Sequence, residues 1–299
     1  MKKIAISTWC TDDYAVYLKP DNLKKLVNHF HPEIDFHIVD TKQTEDIKEK
    51  NPWLLKETVR YPDWMMVMSC LPFVEDYDMV IHMDADSFCI GSLDKIIKSD
   101  KELIGVRNNN FFGKAGSAQP CVSPFYQPYG EGHISIENFV NAGLVASNDK
   151  EFWYEWRDFN KYVAEKSDGR VFNYQPWPMI RNEQDTWNHI FHAKDKYTSE
   201  IIDQEGSGVT YGIINQWGEK DHCESWKELY VKDDSIYIDH PVTGDPLKTS
   251  VLHAAGVSTM DVVKNYGDQY QWLYGIISKA VSYTHLRAHE TREDRGCPG

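Results

Sequence analysis

The sequence predicts an α/β fold in one domain: a mixed, mostly parallel sheet flanked by helices. Three observations carry it. Short apolar runs rich in β-branched residues (Ile4–Thr8, Ile34–Val39, Asp78–Met83, Leu103–Val106) alternate with segments whose apolar residues recur at helical spacing, the pattern of strands joined by helical crossovers. The central run Met79-Val80-Ile81-His82-Met83 is almost continuously apolar, as a strand covered on both faces must be. It ends in the carboxylates of Asp84-Ala85-Asp86, at the carboxyl end of a strand, where open α/β sheets bind ligands.

The elements follow in order. Ile4–Thr8 is the first strand, and the polar Thr11-Asp12-Asp13-Tyr14 a turn. Asn22–Phe30 has Leu23, Leu26, Val27 and Phe30 on one helical face. Ile34–Val39 alternates as a strand does, and Asp63–Leu71 is a Met-rich buried helix. After the Asp78–Met83 strand come a short helix over Ser92–Lys98 and a strand over Leu103–Val106. Asn108–Ile134 is rich in Gly, Pro, Asn and Ser, with interleaved Phe111, Phe112, Phe125, Tyr126 and Tyr129. A stretch that long without periodicity, inside a compact domain, reads as an active-site loop or lid. Phe139–Ser147 resumes as strand and turn. Asp149 caps a helix running to about Glu165, whose broad face of Phe152, Trp153, Trp156, Phe159, Tyr162 and Val163 reads as core. Ser235–Asp239 and Ser250–His253 are later strands.

Composition sets the outer bounds. Of 299 residues, 41% are hydrophobic and 13% aromatic, enough for a core, so wholesale disorder is excluded. No run of 18 apolar residues exists, so no spanning helix is expected. The apolar stretch at the N-terminus is too short for a signal peptide. The net charge of −14 argues against a protein that grips nucleic acid, because phosphate neutralisation needs a basic surface. Cys10, Cys70, Cys89, Cys121, Cys223 and Cys297 form no CxxC pair; they read as reduced, buried thiols of a cytoplasmic protein. The tail 281–299 lacks apolar periodicity, resembles translated read-through and is set aside from the fold.

The chemistry concentrates in a few segments. Asp84 and Asp86, two apart beyond a strand, share a face and repel each other unless a cation lies between them. Hard oxygen ligands suit Mg²⁺ or Mn²⁺ shared with substrate phosphates. His253 can complete such a site through a ring nitrogen, or serve as a structural hydrogen-bonder. Glu183 and Asp185 can hold sugar hydroxyls or simply favour a helix N-terminus. Asn141-Ala142-Gly143 reads as a small turn that lets backbone approach a ligand closely. His133, Tyr174, Trp177 and Trp217 are candidate sugar-stacking residues in loops.

Four segments resemble glycosyltransferase family 8. Asp76-Tyr77-Asp78-Met79-Val80-Ile81-His82-Met83-Asp84-Ala85-Asp86 resembles its "DYDxVLYLDAD" run. Phe139–Asn148 is similar to "FNAGxxxxN" with one extra residue, Asn182–Asn188 to "DQDxLN", and Val251–Gly256 to "IIHFxG". The resemblance spans about residues 4–256, with the segments in family order. It implies a GT-A fold over 1–280, with a nucleotide-binding half (1–107), an active-site loop (108–134) and an acceptor half (135–280). It implies a metal-dependent glycosyltransferase that uses a nucleotide-sugar donor, a UDP-sugar, with retention of configuration. The acceptor is a glycan, lipid-linked or other hydroxyl. Asp84, Asp86 and His253 would hold Mn²⁺ or Mg²⁺. Thr8, Asp12, Asp13, Tyr14, Asp84, Asn141, Ala142, Gly143 and Gly256 would bind the nucleotide-sugar, and Glu183, Gln184 and Asp185 would act beside the donor sugar, Gln184 near the anomeric carbon.

The sequence departs from the family pattern in three places. Met66, Val67 and Met68 stand where the helix before the central strand usually carries an Arg, leaving Arg60 or Lys56 as replacements. No Lys-Pro-Trp follows His253 and Gly256, and Glu183 replaces the first Asp of its segment. Two other functions share this kind of sheet. A sugar-phosphate nucleotidyltransferase would want a Gly-rich first loop, and Ser7–Asp13 has no Gly. A nucleotide-sugar-binding protein without turnover would need no complete Asp84, Asp86 and His253 set.

Overall fold

The computed structural model describes residues 2–55, 64–107, 140–166, 183–193, 196–202, 211–213, 230–232, 235–239 and 246–253. Its elements are β1 (Ile4–Trp9), α1 (Asp12–Leu18), α2 (Pro20–Phe30), β2 (Asp35–Val39), α3 (Thr41–Lys50), α4 (Met65–Cys70), β3 (Met79–Met83), β4 (Ser87–Cys89), α5 (Asp94–Ile97), β5 (Leu103–Arg107), β6 (Val140–Ser147), α6 (Lys150–Lys166), α7 (Glu183–Phe191), β7 (Ser199–Ile202), β8 (Tyr211–Ile213), β9 (Tyr230–Lys232), β10 (Ser235–Asp239), β11 (Pro246–Lys248) and β12 (Val251–His253).

Six strands make the main sheet, in the order β2-β1-β3-β6-β5-β7. β2, β1 and β3 run parallel, β6 runs antiparallel to both of its neighbours, and β7 runs parallel to β5. The sheet is therefore mixed, with β6 as the reversed strand. Two small sheets complete the described residues: β4-β12-β8 and β11-β10-β9.

Both faces of the main sheet are covered, and β3 shows how. Met79, Ile81 and Met83 join one cluster, with Ile4, Ile6, Leu23, Val27 and Leu144. Val80 joins the other, with Trp153, Trp156, Trp187 and Phe152. Successive side chains of a strand point to opposite faces, and every residue of β3 is buried. α2 closes the first face with Leu23, Leu26 and Val27. α4, α6 and α7 close the second, where Phe152 stacks on Trp156 at 5.7 Å and meets Trp187 edge-on at 5.3 Å. Trp156 donates its indole N–H to Thr186 Oγ1 at 2.9 Å, which ties α6 to α7.

Several elements depart from the sequence expectations. Asp12-Asp13-Tyr14 is the first turn of α1 rather than a free turn. Asn141-Ala142-Gly143 is not a turn either: it lies inside the continuous eight-residue β6, where Asn141 pairs with Val106 of β5 and Gly143 O accepts from Asp84 N–H just past the end of β3. Its irregularity appears instead as a register shift between Gly105, opposite Val145, and Val106, opposite Asn141, which leaves Ala142, Gly143 and Leu144 without partners in β5, a bulge in β6. Helix α3 was not anticipated; Asp40 accepts from Gln43 N at 2.9 Å while Gln43 Oε1 accepts from Asp40 N at 3.2 Å, a reciprocal cap readable from Asp-x-x-Gln spacing. The Met-rich helix is shorter than expected and runs into a 3₁₀ turn over Leu71–Phe73, where Pro72 removes a donor. Tyr162 is exposed near the end of α6, which outruns the core it packs on.

Cys10, Cys70 and Cys89 are buried free thiols. Among the described residues no helix is long and apolar enough to cross a membrane. The loop Asn108–Ile134, the tail 281–299, the side chains of Val163 and Asp185, and Lys56, Arg60, His133, Tyr174, Trp177, Trp217 and Gly256 all lie outside the described residues.

The aromatic layer under α6 and α7 gives a stability prediction. Trp187 is completely buried among Phe152, Trp156 and Phe191. Trp187→Ala should cost about 3–5 kcal/mol, read as a lower urea midpoint at unchanged slope. A loss under about 1 kcal/mol would show that this layer does not anchor α7.

Candidate active site

The site begins where β3 ends. Asp84 follows β3 directly, and Ser87 N–H donates back to Asp84 O at 2.9 Å, closing a tight turn that carries Asp86 into β4. The Asp84 N–H donates to Gly143 O at 2.9 Å, so the turn is fastened to β6 as well. β12 pairs antiparallel with β4 and sets His253 opposite Ser87. Gly91 lets β12 in: a Cβ there would meet Ser250 Oγ at 2.9 Å and Ser250 Cα at 3.0 Å, and Ile90 N–H donates to Ser250 O at 2.8 Å.

This layout converges three ligand-type side chains. His253 Nε2 lies 3.2 Å from Asp84 Oδ2 and 3.1 Å from Asp86 Oδ1. His82 Nε2 lies 2.8 Å from the other Asp84 oxygen, Oδ1. Asp86 and His253 are buried and Asp84 is partly so.

The electrostatics follow from two carboxylates sharing one imidazole. Burial pushes the Asp84 carboxyl up, but hydrogen bonds from His253 and His82 outweigh it and hold the group well below the usual carboxylate range. Burial raises Asp86, the His253 charge relieves this only in part, and Asp84 repels it further. Burial would lower His253, yet the charge of Asp86 and the hydrogen bonds to both carboxylates push it up to about 10.

The donor set fits a hard divalent cation. One ligand atom from each of Asp84, Asp86 and His253 lies within 4.8 Å of the others. Metal–ligand bonds of about 2.0–2.2 Å put adjacent octahedral ligands about 3 Å apart, close to the nitrogen–oxygen separations here. Two carboxylate oxygens and one imidazole nitrogen could together hold a divalent metal ion.

The second wall comes from β6 and α7. Asn188 Oδ1 accepts from Val140 N and its Nδ2 donates to Val140 O, both at 2.8 Å. The side chain thus takes both backbone groups of one residue, as a neighbouring strand would. Ala142 N–H donates to Gln184 Oε1 at 3.1 Å, and Asn141 Oδ1 accepts from Gly143 N at 2.7 Å. Glu183 is buried at the start of α7.

The third contribution is the end of β1, which pairs with β3 through Ser7 and His82. Thr8 is buried, and its hydroxyl has no hydrogen-bond partner among the described residues. Burial pushes the Cys10 thiol up to about 12, and the charges of Asp86 and Asp12 add to the effect, so the loop after β1 senses the carboxylate centre. Asp12 and Asp13 are exposed. Tyr14 is half-buried against Trp9, ring centres 6.3 Å apart.

All four sequence segments therefore meet at one edge of the sheet: Asp84 and Asp86, Gly143, Gln184, and His253. A cavity of about 480 Å³ opens at the opposite end of β3, beside Glu75, Asp78 and Glu102. The five-residue strand separates the two by roughly 17 Å, and those carboxylates already serve Lys150 and Tyr154, Lys3 N, and Thr198. His82, Asn188 and Gly91 were not singled out from the sequence. A His inside an otherwise apolar strand was the visible signal for the first; the other two act through partners distant in sequence.

No family model matches the chain, and no curated protein matches it. Solved structures similar to the chain include glycosyltransferases. One is the galactosyltransferase LgtC in complex with donor and acceptor sugar analogues, with 17% identity, a TM-score of 0.45, and coverage of 91% of this chain and 95% of that one. A glycosyltransferase involved in glycosylation of the major capsid of PBCV-1 has 12% identity and a TM-score of 0.44, covering 89% and 99%. GlyE of Streptococcus pneumoniae TIGR4 has 16% identity and a TM-score of 0.46, covering 94% of this chain and 64% of that one.

The shifted histidine predicts a pH dependence in metal-free protein. A folded value near 10, against an ordinary 6.5, means that the protonated ring stabilises the fold fully below about pH 6.5. That contribution declines as pH rises and is gone above about pH 10. The stability difference between wild type and His253→Gln, from urea melts in EDTA, should therefore shrink across this window. A difference that stays constant or grows with pH would contradict the assignment.

Proposed function

We propose that this chain is a metal-dependent glycosyltransferase that moves a sugar from a nucleotide-diphosphate sugar, a UDP-sugar, to an acceptor hydroxyl with retention of configuration. The observation that carries the reading is the convergence of Asp84, Asp86 and His253 at the end of the central strand. It is supported by the backbone and side-chain links of that centre to Gly143 and of Ala142 to Gln184.

Asp84, Asp86 and His253 would hold Mn²⁺ or Mg²⁺. When bound, the ion supplies Lewis-acid neutralisation of the leaving diphosphate. Thr8, Asp12, Asp13 and Tyr14 would bind the nucleoside, with the Tyr14 ring against the base. Asn141, Ala142 and Gly143 would line the donor sugar, together with Gly256. Glu183 and Asp185 would take sugar hydroxyls. Gln184 sits with its amide oxygen already accepting from Ala142 N–H. That bond fixes the amide, whose oxygen would face positive charge developing at the anomeric carbon.

No side chain in these segments is assigned as a base on the far side of the sugar. The acceptor proton would pass to the leaving diphosphate as the bond from the acceptor oxygen to the anomeric carbon forms and the bond to diphosphate breaks. Entry and departure then share a face, and configuration is retained. The acceptor is a glycan, lipid-linked or other hydroxyl compound.

The test is release of free UDP from UDP-sugars with Mn²⁺ and with EDTA. Asp86→Asn should lower turnover at least about a hundredfold with an unchanged circular dichroism spectrum. Full activity of that variant in EDTA would overturn the metal mechanism. Proton NMR of the fresh product should show an α-linked sugar from an α-linked donor; a β coupling at the new anomeric proton would overturn retention.

A further inference from the structure

We infer that His82 is a positioning residue that holds Asp84 as a one-oxygen ligand; the inference rests on the metal reading above. His82 lies in the middle of the apolar run of β3, paired between Ser7 of β1 and Val145 of β6. By strand alternation it shares the face of Val80, the face covered by α4, α6 and α7. It is 1% exposed, and its Nδ1 has no hydrogen-bond partner among the described residues. A carboxylate accepts only, so Nε2 carries the hydrogen in the 2.8 Å contact with Asp84 Oδ1.

That contact divides the two oxygens of Asp84. Oδ1 is tied back into the sheet, and Oδ2 faces His253. Were Oδ1 released, the carboxylate could turn and offer both oxygens at once, either to His253 or to a cation. Two-oxygen ligation uses a coordination position that a substrate oxygen would otherwise take. Burying an imidazole with one ring nitrogen unpaired costs stability. A purely structural site could fill this position with an apolar side chain, as its neighbours Ile81 and Met83 do. Partners that orient a metal ligand typically change metal affinity 10–100-fold when removed.

The experiment measures binding of Mn²⁺ alone, without nucleotide, by electron paramagnetic resonance titration, on wild type, His82→Phe, His82→Asn and His82→Gln. Gln places an amide N–H near the position of Nε2, whereas Asn reaches only as far as Nδ1. His82→Phe and His82→Asn should weaken Mn²⁺ binding about 10–100-fold, and His82→Gln should recover most of the loss. Should Phe prevent folding, the Asn and Gln pair carries the same contrast. Equal Mn²⁺ affinity across wild type, Asn and Gln would overturn the inference and leave the metal reading standing. A wild type that binds no Mn²⁺ would overturn both.

Discussion

The pairing of β3 with the reversed strand β6 organises everything else in the described chain. Val80 to Met83 run against Ser147 to Leu144, and the ladder continues past the strand as Asp84 N–H donates to Gly143 O. Because β6 enters from the opposite direction, its N-terminal residues lie at the edge where β3 delivers its carboxyl end. A parallel β6 would have carried Asn141 and Gly143 to the far end of the sheet. The reversal thus brings a backbone segment 57 to 59 positions later in sequence beside the acidic turn, and α7, locked on β6 by Asn188, comes with it.

Much of this was legible in the sequence, for particular reasons. β1, β3 and β5 were visible because a short apolar run between polar turns has few uses other than a buried strand, and β2 because its apolar and polar residues alternate. The site segments were visible because Asp, Asn, Gly, Glu and His cluster at the ends of those runs. What stayed hidden depends on partners far away in sequence. Asn141-Ala142-Gly143 has the composition of a turn, and what holds it in a strand is the pairing of Asn141 with Val106 before it and of Leu144 with Met83 after it. Asn188 looks like any polar helix residue until Val140 stands beside it. His82 was readable as a polar residue in an apolar strand, but its purpose needs the oxygen 2.8 Å away.

The departures from the family pattern take on physical meaning in this frame. α4 presents Met65, Val67 and Met68 to the aromatic core, so this stretch is committed to packing. Glu183, longer than the Asp it replaces, is buried at the first turn of α7, where the positive end of the helix dipole favours a carboxylate.

Charge balance at the centre explains why the set is poised for a ligand. With His253 protonated, Asp84 holds its charge easily and Asp86 does not, since one positive group cannot satisfy two carboxylates withdrawn from solvent. A divalent cation bound in place of that one proton supplies two charges where there was one. It relieves the repulsion between Asp84 and Asp86 and frees the lone pair of His253 for coordination. Metal binding would therefore release a proton, and its affinity would rise with pH as long as the ring is protonated in the empty site. Gly91 admits β12, the turn after β3 aims Asp84 and Asp86 at His253, and the His82 ring takes the other oxygen of Asp84.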